Sequence, residues 1–209
     1  MKISLQNIGR RFNREWIFRD LSYEFTSGNK YAVLGPNGSG KSTLLSIIMG
    51  NLSPSEGQLE YLNGLHAVPV EKVYQSLSFA APYLDLIEDF TLQETISFHF
   101  KFKSYYPGMN ENKVMELLGL SRSKDKALKY FSSGMKQRTK LALACCTDSP
   151  ILLLDEPVSN LDKQGVSWYL DLIETYAADK LVIIGSNQEI EYAFCDKIIE
   201  ITDFKEISI

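Results

Sequence analysis

The run Gly35-Pro36-Asn37-Gly38-Ser39-Gly40-Lys41-Ser42-Thr43 has the composition and spacing of a phosphate-binding loop. Its glycines let the backbone wrap closely enough to aim several N–H groups at one anion. Lys41 can reach the outer phosphates, and the Ser42 hydroxyl is placed to ligate Mg²⁺. A second group, Leu154-Asp155-Glu156-Pro157, sets two carboxylates behind an apolar run. Asp155 can help hold Mg²⁺, which takes a few carboxylate and phosphate oxygens and keeps several waters. Glu156 can orient or deprotonate an attacking water. A third group, Phe131-Ser132-Ser133-Gly134-Met135, opens a helix with hydroxyls and a glycine, a terminus suited to an anion. Taken alone it is equally a structural cap. The shared chemistry is the binding of a nucleoside triphosphate.

These residues need rigid elements behind them. Lys30-Tyr31-Ala32-Val33-Leu34 predicts a buried strand before the loop, and residues 43–49 an apolar-faced helix after it. A helix starting at the loop adds its positive N-terminal end to the anion site. Leu21-Ser22-Tyr23-Glu24-Phe25 alternates, so residues 2–34 read as β-rich, with a turn at Ser27-Gly28-Asn29. Strands are predicted over 58–61 and 76–80. Thr91-Leu92-Gln93-Glu94 predicts a capped helix start, and a second helix fits 110–118, stopped by Gly119. Phe98, Phe100 and Phe102 repeat every second residue, a strand-like spacing inside a region otherwise read as helical. Ile151-Leu152-Leu153-Leu154 suits a strand buried on both faces. A helix over 163–176 and strands over 181–184 and 197–201 complete the expected α/β pattern.

Composition sets the class. The chain has 209 residues, 44% of them hydrophobic and 23% charged, the proportions of an ordinary globular domain. A net charge of −4 gives no global electrostatic argument for nucleic acid, so no nucleic-acid partner is expected. Cys145, Cys146 and Cys195 have no metal-ligand spacing and read as reduced thiols of a cytosolic protein. The N-terminus lacks the apolar core of a signal peptide, and no run is long enough to cross a membrane. Lys124, Lys126, Lys129, Lys136, Arg138 and Lys140 read as solvated helix faces rather than a docking patch.

Together, and in this order, the motifs resemble those of the ATP-binding cassette (ABC) family. Residues 35–43 match its Walker A loop, residues 151–156 its Walker B strand, and Ser159-Asn160-Leu161-Asp162 its D-loop. Phe131-Ser132-Ser133-Gly134-Met135 is similar to the Leu-Ser-Gly-Gly-Gln signature, with replacements at its first, third and fifth letters. The resemblance implies a single α/β domain over 1–209. It would have a P-loop NTPase (RecA-like) core with an N-terminal antiparallel β lobe (1–81 and 147–209) and an inserted helical lobe (82–146). It implies ATP and Mg²⁺ as ligands. Gly35, Asn37, Gly38, Ser39, Gly40, Lys41, Ser42 and Thr43 would bind nucleotide, Ser42 and Asp155 would hold the metal, and Glu156 would be catalytic. It further implies a head-to-tail homodimer in which Ser132, Gly134 and Asp162 of one subunit complete the site of the other. Phe12, with Trp16 as the alternative, matches the aromatic that stacks on adenine.

Two departures stand out. Asn187 takes the catalytic place of a histidine that contacts the γ-phosphate; its amide can still hydrogen-bond a phosphate oxygen but can neither carry a positive charge nor shuttle a proton. The stretch Phe79-Ala80-Ala81-Pro82-Tyr83 lacks the glutamine found at the entry to the helical lobe. The expectation is therefore an ATPase slowed by both changes, energising a separate membrane permease from the inner face of the cell membrane. Residues 90–106, rich in aromatics, would offer that permease its groove. The alternatives are a soluble non-transport ABC ATPase and a slowly hydrolysing ATP-dependent switch.

Overall fold

The computed structural model describes residues 1–205; residues 206–209, the tail of the expected domain, lie outside the described residues. Alternating patterns in the first 68 residues build an antiparallel sheet. It comprises β1 (Lys2–Phe12), β2 (Glu15–Thr26), β4 (Glu56–Asn63) and β5 (His66–Val68), ordered β2-β1-β4-β5. Continuous apolar runs build the second sheet. It comprises β3 (Lys30–Leu34), β6 (Leu77–Ala80), β7 (Ile151–Asp155), β8 (Leu181–Ser186) and β9 (Lys197–Glu200), ordered β6-β7-β8-β3-β9 with every pairing parallel. All of β7 and all of β8 are buried, as a parallel sheet covered on both faces requires.

One face of this sheet is covered by α1 (Lys41–Ile48), whose Leu44, Leu45, Ile47 and Ile48 join β1 and β2 in the largest core cluster. Each such side chain stabilises the fold by about 1.5–3 kcal/mol. The opposite face packs on α4 (Ser133–Cys145) and α5 (Lys163–Tyr176). α4 is shared between lobes. Its Leu141, Ala144 and Cys145 belong to the core under β7, whereas Ala142 and Leu143 join α2 (Leu92–His99) and α3 (Glu111–Leu118) in the helical cluster.

Local chemistry sets the helix ends. Thr91 and Glu94 form a reciprocal capping box at the start of α2. Asn110 caps α3, and Gly119 closes it in the left-handed region at φ 66°. The every-second-residue phenylalanines do not form a strand. Phe98 lies in α2, Phe100 caps it and stacks on Tyr105 with centroids 3.7 Å apart, and Phe102 lies beyond the helix end. Helix propensity and the capping box override a three-residue alternation there. The sequence reading passed over the hairpin strand β5, a 3₁₀ segment over Val70–Ser76 and the one-turn helix α6 (Glu189–Tyr192). Among the described residues no helix is long and apolar enough to span a membrane.

Candidate nucleotide site

The sheet order creates the site. β7, β8 and β3 are neighbours, and the register pairs Asp155 with Gly185 and Leu34 with Ser186. Strands about 4.8 Å apart therefore bring the loop after β3, Asp155-Glu156 after β7 and Asn187 after β8 to one level at their carboxyl ends. A cavity of about 180 Å³ opens there, lined by Ile17, Asn37, Gly38, Gly40, Lys41, Ser42, Thr43 and Glu156.

Backbone geometry explains two glycines. Gly40 sits at φ 110° as the N-cap of α1, and a Cβ there would come within 2.5 Å of Ile17 Cγ2. A Cβ on Gly185 would stand 2.7 Å from Asp155 Oδ1, so only glycine leaves room for that carboxylate. Lys41 is 4% exposed, and its ammonium donates to Gly35 O at 2.8 Å and Pro36 O at 3.2 Å, folding over the loop that it serves. Asn187 donates from its side-chain amide to Asn37 Oδ1 at 2.9 Å, tying the end of β8 to the loop.

Asp155 is almost wholly buried. Burial pushes its carboxyl above the ordinary carboxylate range, and hydrogen bonds with Ser42 and Tyr83 pull it back down. Its Oδ1 is buried with no hydrogen-bond partner, and so is Ser39 Oγ. Such orphans are costly unless a ligand satisfies them. A hydroxyl and a carboxylate oxygen are the hard oxygen donors that hydrated Mg²⁺ takes, and the neighbouring loop N–H groups can donate to phosphate, so the residues fit a metal–triphosphate. Glu156 adopts a left-handed backbone at φ 42°, and its N–H donates to Gly185 O at 2.9 Å. A non-glycine residue held there costs on the order of 1–3 kcal/mol, and such strain concentrates at functional sites.

The remaining expected residues gather elsewhere. Ser132, Gly134 and Asp162 line a second opening of about 320 Å³ with Arg138, Asn160 and Leu161, and it shares no residue with the first. Ser132 caps α4 by accepting from Met135 N at 3.2 Å, and Asp162 caps α5 by accepting from Gly165 N at 2.7 Å. Phe12 is 45% exposed under the Arg10 guanidinium, 4.4 Å from its ring centroid, and Trp16 lies beneath Arg19 at 4.7 Å. Neither lines the loop cavity; from the β lobe Ile17 does.

Four of the basic residues near the signature are engaged by the chain itself. Lys129 pairs with Asp89 and Lys136 with Glu88, while Arg138 stacks on Trp168 and Lys140 donates to Ala81 O and Pro82 O. Two contributors escaped the sequence reading. The Tyr83 hydroxyl donates to Asp155 Oδ2 at 2.9 Å. Glu191, fully buried, accepts from Val158 N at 2.9 Å and from the Ser186 hydroxyl, bracing the turn after Glu156 against the end of β8. An aromatic hydroxyl just past a strand end was the available signal for Tyr83. A glutamate soon after a strand gives none.

The pattern that defines the family described as ABC transporter matches residues 18–159, a span that takes in the phosphate loop, the signature and both carboxylates. The chain belongs to the ABC transporter ATP-binding family. It is 34% identical over 92% of its length to the energy-coupling factor transporter ATP-binding protein of Thermotoga maritima, spanning 74% of that protein. It is 30% identical over 98% of its length to the sulfate/thiosulfate import ATP-binding protein of Synechocystis, of which it spans only 59%. Among solved structures, an ATP-binding subunit of an ABC transporter superposes with a TM-score of 0.81 at 21% identity, covering 97% of this chain and 87% of that one. A bacterial ABC transporter cassette described as dimeric gives 0.78 at 22% identity, covering 96% and 95%. The cassette thus has the P-loop NTPase fold, an antiparallel β lobe beside a parallel sheet flanked by helices. Phe12, Asp162 and Asn187 fall outside the matched span.

Proposed function

We propose that this cassette binds ATP with Mg²⁺ at the phosphate loop and hydrolyses it in a head-to-tail dimer, driving a separate permease. The supporting observation is the division of the expected site into two openings that share no residue, each carrying half of the chemistry. A second copy would present Ser132, Gly134 and Asp162 across the triphosphate. In this reading residues 35–43 cradle the phosphates and Lys41 moves its ammonium from the loop carbonyls to the outer phosphates. Ser42 and Asp155 hold Mg²⁺, which neutralises phosphate charge. Glu156 takes the proton of the attacking water. Phe12, exposed on the β lobe outside the loop cavity, would be the ring that stacks on the adenine. A groove of about 260 Å³ in the helical lobe, walled by Leu86, Ile87, Phe90, Phe98 and Phe102, is the face offered to the permease, which would hold the cassette at the inner face of the membrane.

One observation favours a slower variant of the same reading. Asn187 is held against Asn37 by its amide and has no titratable proton to exchange, so turnover relies on Glu156 alone. The test is sedimentation of Glu156→Gln with ATP and Mg²⁺. A stable nucleotide-dependent dimer is expected, and a strict monomer at saturating ATP would sink the composite site. Comparing phosphate release by Asn187→Ala and the unaltered protein measures what the amide contributes.

A further inference from the structure

Tyr83 follows β6, the strand beside β7, and Ala80 pairs with Leu154, one residue before Asp155. Packing does not explain its placement. The side chain is 54% exposed and meets Phe79 at a centroid distance of 6.4 Å in a tilted contact. What places the ring is its hydroxyl, which donates to Asp155 Oδ2 at 2.9 Å. The hydroxyl thus holds one residue of the metal-holding pair. With Oδ2 taken, Asp155 keeps Oδ1 as its buried, partnerless oxygen, turned into the gap left by Gly185. The segment carrying Tyr83 is anchored from outside the site. Lys140 on α4 donates to Pro82 O at 2.6 Å and Ala81 O at 3.3 Å, the two peptides immediately before it.

We propose that Tyr83 is a positioning residue for the metal. Its hydroxyl fixes the Asp155 carboxylate through Oδ2 and so sets the orientation in which that carboxylate would serve the metal, and Lys140 holds Tyr83 in place from α4. This rests on the reading of Ser42 and Asp155 as the metal-holding pair. A hydrogen bond to a carboxylate is strong enough for its loss to be read directly in metal affinity.

The test is titration of the full chain with a fluorescent ATP analogue, once in EDTA and once in Mg²⁺, for the unaltered protein and Tyr83→Phe. Affinity in EDTA should agree within about two-fold, since the phosphate loop is untouched. The gain in affinity on adding Mg²⁺ should shrink about ten-fold in Tyr83→Phe, equivalent to about 1.4 kcal/mol. In an Asp155→Asn background the same substitution should change nothing further, because the two groups act as one unit. Lys140→Met, outside the site, should lose about three-fold of the Mg²⁺ gain. An undiminished gain in Tyr83→Phe overturns the proposal, even if its melting temperature falls. So does a loss that persists in the Asp155→Asn background. If the unaltered protein shows no Mg²⁺ gain at all, the metal-pair reading falls with it, whereas a normal gain retained by Tyr83→Phe removes Tyr83 alone.

Discussion

The two halves of the candidate site are built by opposite means. The phosphate-loop half is assembled from long-range neighbours: Lys41 and Asp155 are buried, Gly185 makes room for the carboxylate, and Asn187 reaches Asn37 from 150 residues away. The Ser132–Asp162 half is assembled from local caps. Ser132 and Asp162 are exposed, each already bonded to an N–H three residues ahead, and they line an opening of their own. A half built from buried groups is preorganised before any ligand arrives. A half built from exposed caps is stable without a ligand, and in the proposed dimer its chemistry would wait for a partner surface. Substitutions in the first half should therefore alter the chain's own nucleotide binding, and those in the second should act only when two subunits meet.

The largest test of this contrast is Glu156→Gln. Loss of a general base should lower phosphate release by about 10²- to 10⁴-fold while leaving nucleotide affinity nearly unchanged. A variant that keeps most of its turnover would move the base elsewhere. Next comes Lys41→Ala. Removing a charge-assisted contact to phosphate should weaken ATP binding by about 100-fold, or about 3 kcal/mol, in the isolated chain. Equal binding by this variant, read by fluorescence titration, would break the assignment of the first half.

Acid should separate the lobes. His99, on α2, is buried beside Lys103, and burial with that neighbouring charge lowers its pKa from 6.5 to about 4. The folded lobe therefore prefers the neutral ring. Its contribution is fully present above pH 6.5, declines as pH falls from there toward 4, and amounts at most to something on the order of 3 kcal/mol. Hydrogen exchange at pH 4.5 against pH 7 should show α2 and α3 losing protection ahead of β7 and β8. His99→Gln should flatten that difference. The smallest effect belongs to Ser132→Ala. It should cost about 1 kcal/mol through the lost cap and leave ATP affinity of the isolated chain alone. It should still depress turnover in the dimer, and weakened binding by the monomer would refute the division of labour.

How much was legible in advance follows the same line. Gly35 to Thr43, the capping box at Thr91 and Glu94, the cap at Asn110 and the stop at Gly119 all act within a few residues, and each was readable as a local pattern. The phenylalanines at 98, 100 and 102 misled because alternation over three positions is weaker than a capped helix. Tyr83 and Glu191 were missed for a different reason: each acts on a residue far away in the chain.

By itself the sequence determined the chemistry: which loop can wrap a phosphate, which carboxylates can serve a metal and water, and where helices begin. Those depend on residue type and spacing over a single turn. Only the tertiary structure decided that β7, β8 and β3 lie side by side, which brings Asp155, Asn187 and Lys41 to one end of the sheet and Tyr83 onto Asp155. It also decided that Ser132 and Asp162 line a separate opening. Sheet order is set by burying apolar strands against α1, α4 and α5, and no spacing along the chain records which strand ends become neighbours.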